Sequence, residues 1–161
     1  MSNFEYLKEQ FPNISRSATK AEQQVLISPE ASAVLGRSAL EQAVIWMYEN
    51  ELSLSFPYKD TLSSLIHERS FRDIIGYSLF QEIRLIKDIG NNGAHGKRVS
   101  SYEATSSIKN LFRFLSYLGT YYGEPELRAP SFDMAYIPDG QEVKRTKKEI
   151  QASLQLLRFT G

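Results

Sequence analysis

The sequence lacks cysteine, contains only two histidines and one tryptophan, and has no long apolar run. Without cysteine the chain can form no disulfide, no thiolate metal site and no thiol nucleophile. Its apolar runs are far shorter than the roughly 20 residues that a membrane-spanning helix needs. Its first residues also lack the basic-then-apolar layout of a secretory signal. These absences predict a cytoplasmic domain with no membrane partner.

The sequence also has no surplus of positive or negative charge. The 161 residues include 19 basic and 19 acidic side chains. This balance argues against an autonomous nucleic-acid-binding domain, which usually carries a strong basic surplus, although a local basic patch remains possible. The length favours one domain, or one domain with an appendage.

The spacing of apolar residues predicts an all-α fold. We expect an antiparallel bundle of about five to six helices, joined mostly by short connections. Residues 1–124 are predicted to form the bundle. Residues 125–161 are predicted to leave it as an extended linker that contains Pro125, Pro130 and Pro138, followed by a C-terminal helix from Asp139 to Arg158.

Three polar residues are expected to begin helices. Ser28 has the clearest pattern, because Pro29 follows at the first helical position and Glu30 falls in the first turn. Asn3 is expected to cap a short helix that ends at Gln10, where Pro12 then interrupts the chain. Asp60 is expected to cap a helix beyond the proline-containing loop.

The segment from Lys87 to His95 concentrates the most unusual composition, with two glycines and two asparagines ahead of the histidine. Gly90 follows the last apolar residue of a periodic helix, so it is expected to end that helix in a left-handed conformation. Asn91 could then bind the helix-end carbonyl groups, and His95 could bond back across the turn. The favoured interpretation is a helix cap that locks two helices together. A ligand-binding or catalytic His95 is the alternative.

Arg37 and Glu41 are the second candidate pair. Four residues apart on a helix, they can form a surface ion pair worth ~0.3–0.5 kcal/mol. The alternative is that Arg37 or Glu41 faces the segment around Gly90 and holds Asn91 or the backbone in place. Sequence alone slightly favours the surface pair.

Other chemistries lack the residues that they require. Gly96 and Lys97 are followed by Arg98, so the magnesium-binding hydroxyl of a phosphate loop is missing. His67 and His95 have no second histidine or cysteine at ligand spacing, so no metal site is expected. No nucleophile elbow of a hydrolase is present.

Several short motifs together resemble one known family. They lie in a consistent order along the chain: Ser2-Asn-Phe-Glu-Tyr-Leu-Lys8, Ala21-Glu22, Arg37-x-x-Leu-Glu41, Ile89-Gly-Asn-x-x-Ala-His95 and Pro130-Ser-Phe132. This series resembles the helical domain at the N-terminus of the R subunit of type I restriction enzymes, and the resemblance covers essentially the whole chain.

The resemblance implies an accessory, non-catalytic domain that acts in subunit docking or in assembly on DNA. The parent subunit would be an ATP-dependent DNA translocase and site-specific endonuclease, whose partners are methyltransferase and specificity subunits. ATP and Mg²⁺ are implied only for that parent, and no cofactor is expected for these residues. Helicase and nuclease motifs are not found in this sequence.

The Gly-Asn-x-x-Ala-His pattern also resembles the wider HEPN superfamily, some of whose members are ribonucleases. That resemblance implies an alternative function as a stand-alone ribonuclease or nucleotide-binding domain. The family pairs a catalytic histidine with an arginine shortly before it. Here the candidates would be His95 and Lys87, since the nearest arginine, Arg84, lies still farther from His95.

Overall fold

The fold is an all-α bundle, as the apolar spacing predicts. The computed structural model describes residues 1–139 and 151–156, and no β-strand occurs within them. Within residues 1–139, six α-helices form the domain, with short 3₁₀ turns at Glu5–Leu7 and Met134–Tyr136. The helices are α1 (Pro12–Gln24), α2 (Pro29–Asn50), α3 (Leu62–His67), α4 (Arg69–Ile75), α5 (Tyr77–Ala94) and α6 (Ser101–Tyr122).

Helices α2 and α5 form the centre of the bundle. Helix α2 packs against α1, α5 and α6, while α5 packs against α2 and α6. The core between them is filled by fully buried side chains, among them Leu40, Met47, Ile83, Ile86 and Phe114. The apolar stripe of each long helix is therefore what assembles the bundle.

The two short helices close one end of the bundle. Tyr48 of α2 donates a hydrogen bond from its hydroxyl to the carbonyl oxygen of Leu65 in α3, and its ring stacks on Phe71 of α4 at 5.8 Å between centroids. Burial raises the pKa of Tyr48 to about 12, so the hydroxyl keeps its proton and remains a donor.

Helix starts agree with the sequence where the cap is strong. The Ser28 hydroxyl accepts from the amide of Ala31 and Pro29 opens α2, as predicted. Helix α6 begins with a complete capping box between Ser100 and Glu103. The prediction for Asp60 is wrong by one residue, because the Thr61 hydroxyl caps α3 by accepting from the amide of Ser64.

The N-terminal segment differs from its prediction. Asn3 does not cap a helix that ends at Gln10; only Glu5–Leu7 forms a 3₁₀ turn there. The Asn3 side chain is instead buried and bonded to distant residues. Pro12 begins α1 rather than interrupting a helix, since proline is well tolerated where no intrahelical amide is needed.

The chain from Pro125 to Asp139 forms a turn, irregular backbone and the 3₁₀ turn Met134–Tyr136, and the expectation that it leaves the bundle is wrong as far as Ile137. Phe132 packs edge-on against Phe112 of α6 at 5.4 Å, and Ile137 is buried in the core. Most of the predicted C-terminal helix lies outside the described residues, although 151–156 are helical and exposed. None of the described helices has the length and apolarity required to cross a membrane.

Candidate functional site at the contact between α2 and α5

Gly90 does not end a helix. Helix α5 continues through Gly90 and Gly93 to Ala94, and His95 occupies the C-cap position. The prediction of a left-handed Gly90 is wrong, because only Gly76 and Gly96 have positive φ angles among the described residues. The two glycines of α5 must therefore be explained by packing rather than by backbone conformation.

The packing explanation is a close approach of α5 to α2. A Cβ atom placed on Gly90 would lie 2.4 Å from the Cβ of Arg37 and 3.0 Å from the carbonyl oxygen of Ala33. One turn later, a Cβ atom on Gly93 would lie 2.8 Å from the carbonyl oxygen of Glu30. Both glycines thus permit the two antiparallel helices to meet with almost no side chain between them.

Arg37 takes part both in this helix contact and in an ion pair with Glu41. Its guanidinium lies 3.8 Å from Glu41, and both side chains are about one-third exposed, which agrees with the predicted pair. The aliphatic part of Arg37 also covers Gly90. Arg37 therefore does face this segment, but by van der Waals contact, and within the described residues no hydrogen bond joins its side chain to Asn91. Its Nε is buried without a hydrogen-bond partner among those residues.

His95 and Lys87 lie in different environments and make no contact with each other among the described residues. Lys87 is only 11% exposed and its ammonium lies 3.4 Å from Asp88, whereas His95 is exposed at the helix end. Eight residues of α-helix separate their Cα atoms by about 12 Å along the axis. General acid–base chemistry requires both groups to reach the same substrate atoms.

The turn after α5 is held by backbone hydrogen bonds. The amide of His95 donates to the carbonyl oxygen of Asn91 at 3.0 Å, and the amide of Lys97 donates to that of Asn92 at 2.8 Å. His95 thus bonds back across the turn through its main chain. The prediction that the Asn91 side chain binds the helix-end carbonyl groups is wrong, because among the described residues Asn91 takes part in this turn only as a main-chain acceptor.

Sequence reasoning missed that Glu30 secures the same turn. The Glu30 carboxylate accepts a hydrogen bond from the amide of Val99 at 3.0 Å. This bond is the largest cause of the lowered pKa of Glu30, and the nearby charge of Arg98 lowers it further. Glu30 was recognised only as an acidic residue of the first helical turn, because the sequence contains no sign that residue 99 returns to it.

A buried polar junction joins the N-terminal segment to the rest of the domain. The Asn3 amide nitrogens, main-chain and side-chain, donate to Glu22 at 3.1 and 2.8 Å. The Asn3 side chain also exchanges two hydrogen bonds with the main chain of Asp133. Glu22 is 1% exposed, and burial is the main cause of its raised pKa, opposed by the hydrogen bonds from Asn3.

The motif residues of these two junctions thus hold separate segments of the fold together. Within the described residues there is no group of three or more histidine, aspartate or glutamate side chains that could hold a metal ion.

Comparison of the chain with protein-family models, curated proteins and solved structures finds no match.

Proposed function

We propose that this chain is an accessory, non-catalytic helical domain of a type I restriction R subunit. The observation that carries the proposal is the contact between Gly90 and Arg37. Two separate motifs of the family resemblance meet there, and they meet to pack helices. Asn3 and Glu22 belong to two further motifs and are also bonded to each other. Motifs used in this way are those of a structural module rather than of an active site.

The function of such a module would be docking in the cytoplasm. Its partners would be the methyltransferase and specificity subunits, and DNA would be reached through the complex. ATP and Mg²⁺ would act in the motor region of the parent subunit, outside these 161 residues.

The experiment is an assembly assay on the parent subunit. The gene is first sequenced beyond Gly161, where the proposal requires helicase motifs. The subunit is then purified with and without residues 1–139 and mixed with the methyltransferase and specificity subunits. We expect the truncated subunit to retain ATP hydrolysis while losing its place in the complex on size exclusion. Assembly equal to that of the full-length subunit would refute the docking role.

A second candidate function is a HEPN-like ribonuclease or nucleotide-binding domain. It is favoured by one observation, the exposure of His95 together with Lys97 and Arg98 in the turn after α5. These groups could contact a phosphate without Lys87. The test is the cleavage experiment described in the Discussion.

A further inference from the structure

Three side chains that can carry positive charge converge on the ring of Phe80 in the first turns of α5. The guanidinium carbon of Arg72, from α4, lies 5.7 Å from the ring centroid. That of Arg84, one turn along α5, lies 5.9 Å from it. The imidazole of His67, at the end of α3, meets the same ring edge-on at 5.3 Å. Both guanidinium groups are within the distance at which a cation is attracted by an aromatic ring.

The two arginines are not neutralised by the protein. Within the described residues neither Arg72 nor Arg84 has a carboxylate at ion-pair distance. Arg84 is positioned instead by the neutral side chain of Gln81, to which it donates at 2.7 Å. The Nδ1–H group of His67 donates to the carbonyl oxygen of Ser63 at 2.7 Å, so the charged imidazolium form has its Nε2–H free to donate to an anion. Like charges held near one ring repel each other, and a bound anion would relieve that repulsion.

A cavity of about 630 Å³ opens beside this group. It is lined by Arg69, Arg72, Asp73, Gly76, Tyr77 and Phe80. Of the three side chains around the ring, Arg72 lines this cavity, whereas Arg84 and His67 adjoin it through Phe80. Asp73, the one acidic residue of the lining, pairs with Arg69 at 3.9 Å, and both side chains are largely exposed. An ion pair as exposed as this one contributes little free energy, so little is lost when either side chain turns away.

Further features of this cavity suit an anion. Helix α5 begins at Gly76 without a side-chain cap, so its first amides and its helix dipole add positive potential. Gly76 itself has a φ of +85° and open space where a Cβ would be. The uncapped helix start adds positive potential to that of Arg72 and Arg84, and Gly76 leaves room for a ligand.

We propose that Arg72, Arg84 and His67 form a binding site for a phosphate group over the ring of Phe80. The planar guanidinium forks match the oxygens of phosphate and supply several charge-assisted hydrogen bonds at once. The ring of Phe80 is 7% exposed, so it gives both guanidinium groups a fixed aromatic surface to lie against. Tyr77 lines the same cavity with 77% of its surface exposed, so a base carried by the phosphate has a flat ring to stack on. This site is independent of the docking role.

The test is a titration of the full chain followed by nuclear magnetic resonance. The probes are inorganic phosphate, a nucleoside 5′-monophosphate and a single-stranded oligonucleotide, with polyglutamate as a carboxylate comparison. We expect the phosphate probes to shift the amide signals at the start of α5. The variant R72Q/R84Q should weaken binding by roughly tenfold or more, because hydrogen bonds to charged groups are among the stronger ones. R72K/R84K should recover only part of the affinity, since lysine keeps the charge and loses the fork.

The matched control is R16Q/K20Q, which removes the same charge from the exposed face of α1. This control should bind as wild type does, and the thermal unfolding of all variants should stay close to that of wild type. The proposal is overturned if no phosphate probe binds, if R72Q/R84Q binds unchanged, if the control loses as much affinity, or if polyglutamate binds as well as phosphate. A Tyr77→Ala change that weakens the nucleotide probes alone identifies a nucleotide as the carrier of the phosphate. Equal effects on all three probes identify the free ion.

Discussion

Gly90 and Arg37 touch across the contact of α2 and α5, at a separation that leaves no room for a side chain at position 90. Gly93 extends the same close approach by one turn towards the start of α2. The close contact determines how near the two central helices lie. It also places Arg37, with its partner Glu41, beside the segment that carries His95.

Replacement of Gly90 by alanine should destabilise the domain. The added Cβ would meet the side chain of Arg37 at 2.4 Å, and overpacking of this kind costs about 1–3 kcal/mol. Gly36→Ala is the matched control, since its Cβ would make an ordinary contact of 3.5 Å with Ser107. That change should be neutral or stabilise by up to ~1 kcal/mol through helix propensity. Urea unfolding of both variants measures the difference, and equal stabilities would show that the contact is not tight.

The buried carboxyl of Glu22 should make stability depend on pH. Burial raises its pKa in the folded state above the ordinary 4.5. At pH values between 4.5 and the raised pKa of folded Glu22, the folded protein keeps a proton that the unfolded chain has released. The free energy of unfolding should therefore fall as pH rises through this window, and above it Glu22 should cause no further change with pH.

Glu22→Gln isolates that effect. Glutamine still offers an oxygen to the two Asn3 donors but carries no charge. We expect the stability of this variant relative to wild type to rise with pH from 4.5 upwards, as measured by urea unfolding at several pH values. Parallel curves for the two proteins would mean that Glu22 titrates alike in both states. Glu22→Ala should be less stable than Glu22→Gln, since both donors would lose their partner.

The bond from Val99 to Glu30 should protect the turn that carries His95. Glu30→Ala removes the acceptor of the Val99 amide, so hydrogen exchange at Val99 should become faster, while Glu30→Gln should retain most of the protection. Because the pKa of folded Glu30 lies below 4.5, this bond stabilises the fold above that pH. Its contribution is lost as pH falls through the lowered folded value. Unchanged exchange at Val99 in Glu30→Ala would contradict this role.

Under the docking proposal the chain should not cleave RNA, so replacing His95 should leave the RNA unchanged. The Lys87 side chain is largely buried and paired with Asp88, whereas His95 is exposed at the end of α5, which does not favour joint action on one substrate. We expect wild type and His95→Ala to show the same background when each is incubated with labelled RNA. Lys87→Ala serves as the comparison, and it should lower the unfolding temperature because a largely buried side chain is removed. Cleavage by wild type that His95→Ala abolishes would establish the ribonuclease alternative instead.

The features that the sequence predicted correctly depend on neighbours in the chain. The Ser28 cap and the long apolar stripe of α6 are short-range signals, because capping and helical periodicity act within a few residues. The boundaries that were wrong lie where two local signals compete. Asp60 and Thr61 can both cap a helix, and Pro12 can either end or begin one.

The wrong prediction for Gly90 shows the limit of signals that act only between neighbours in the chain. A glycine that follows the last apolar residue of a stripe is the usual sign of a helix end, and nothing nearby in the chain indicates that Arg37 will lie against it. The composition of the chain and its helical periodicity were enough to determine an all-α bundle. Only tertiary packing decided that Gly90 serves a helix contact, that Glu30 holds Val99, and that Arg72 of α4 joins Arg84 at the ring of Phe80. Each of these relationships joins different helices or segments, and its energy exists only once those segments have come together.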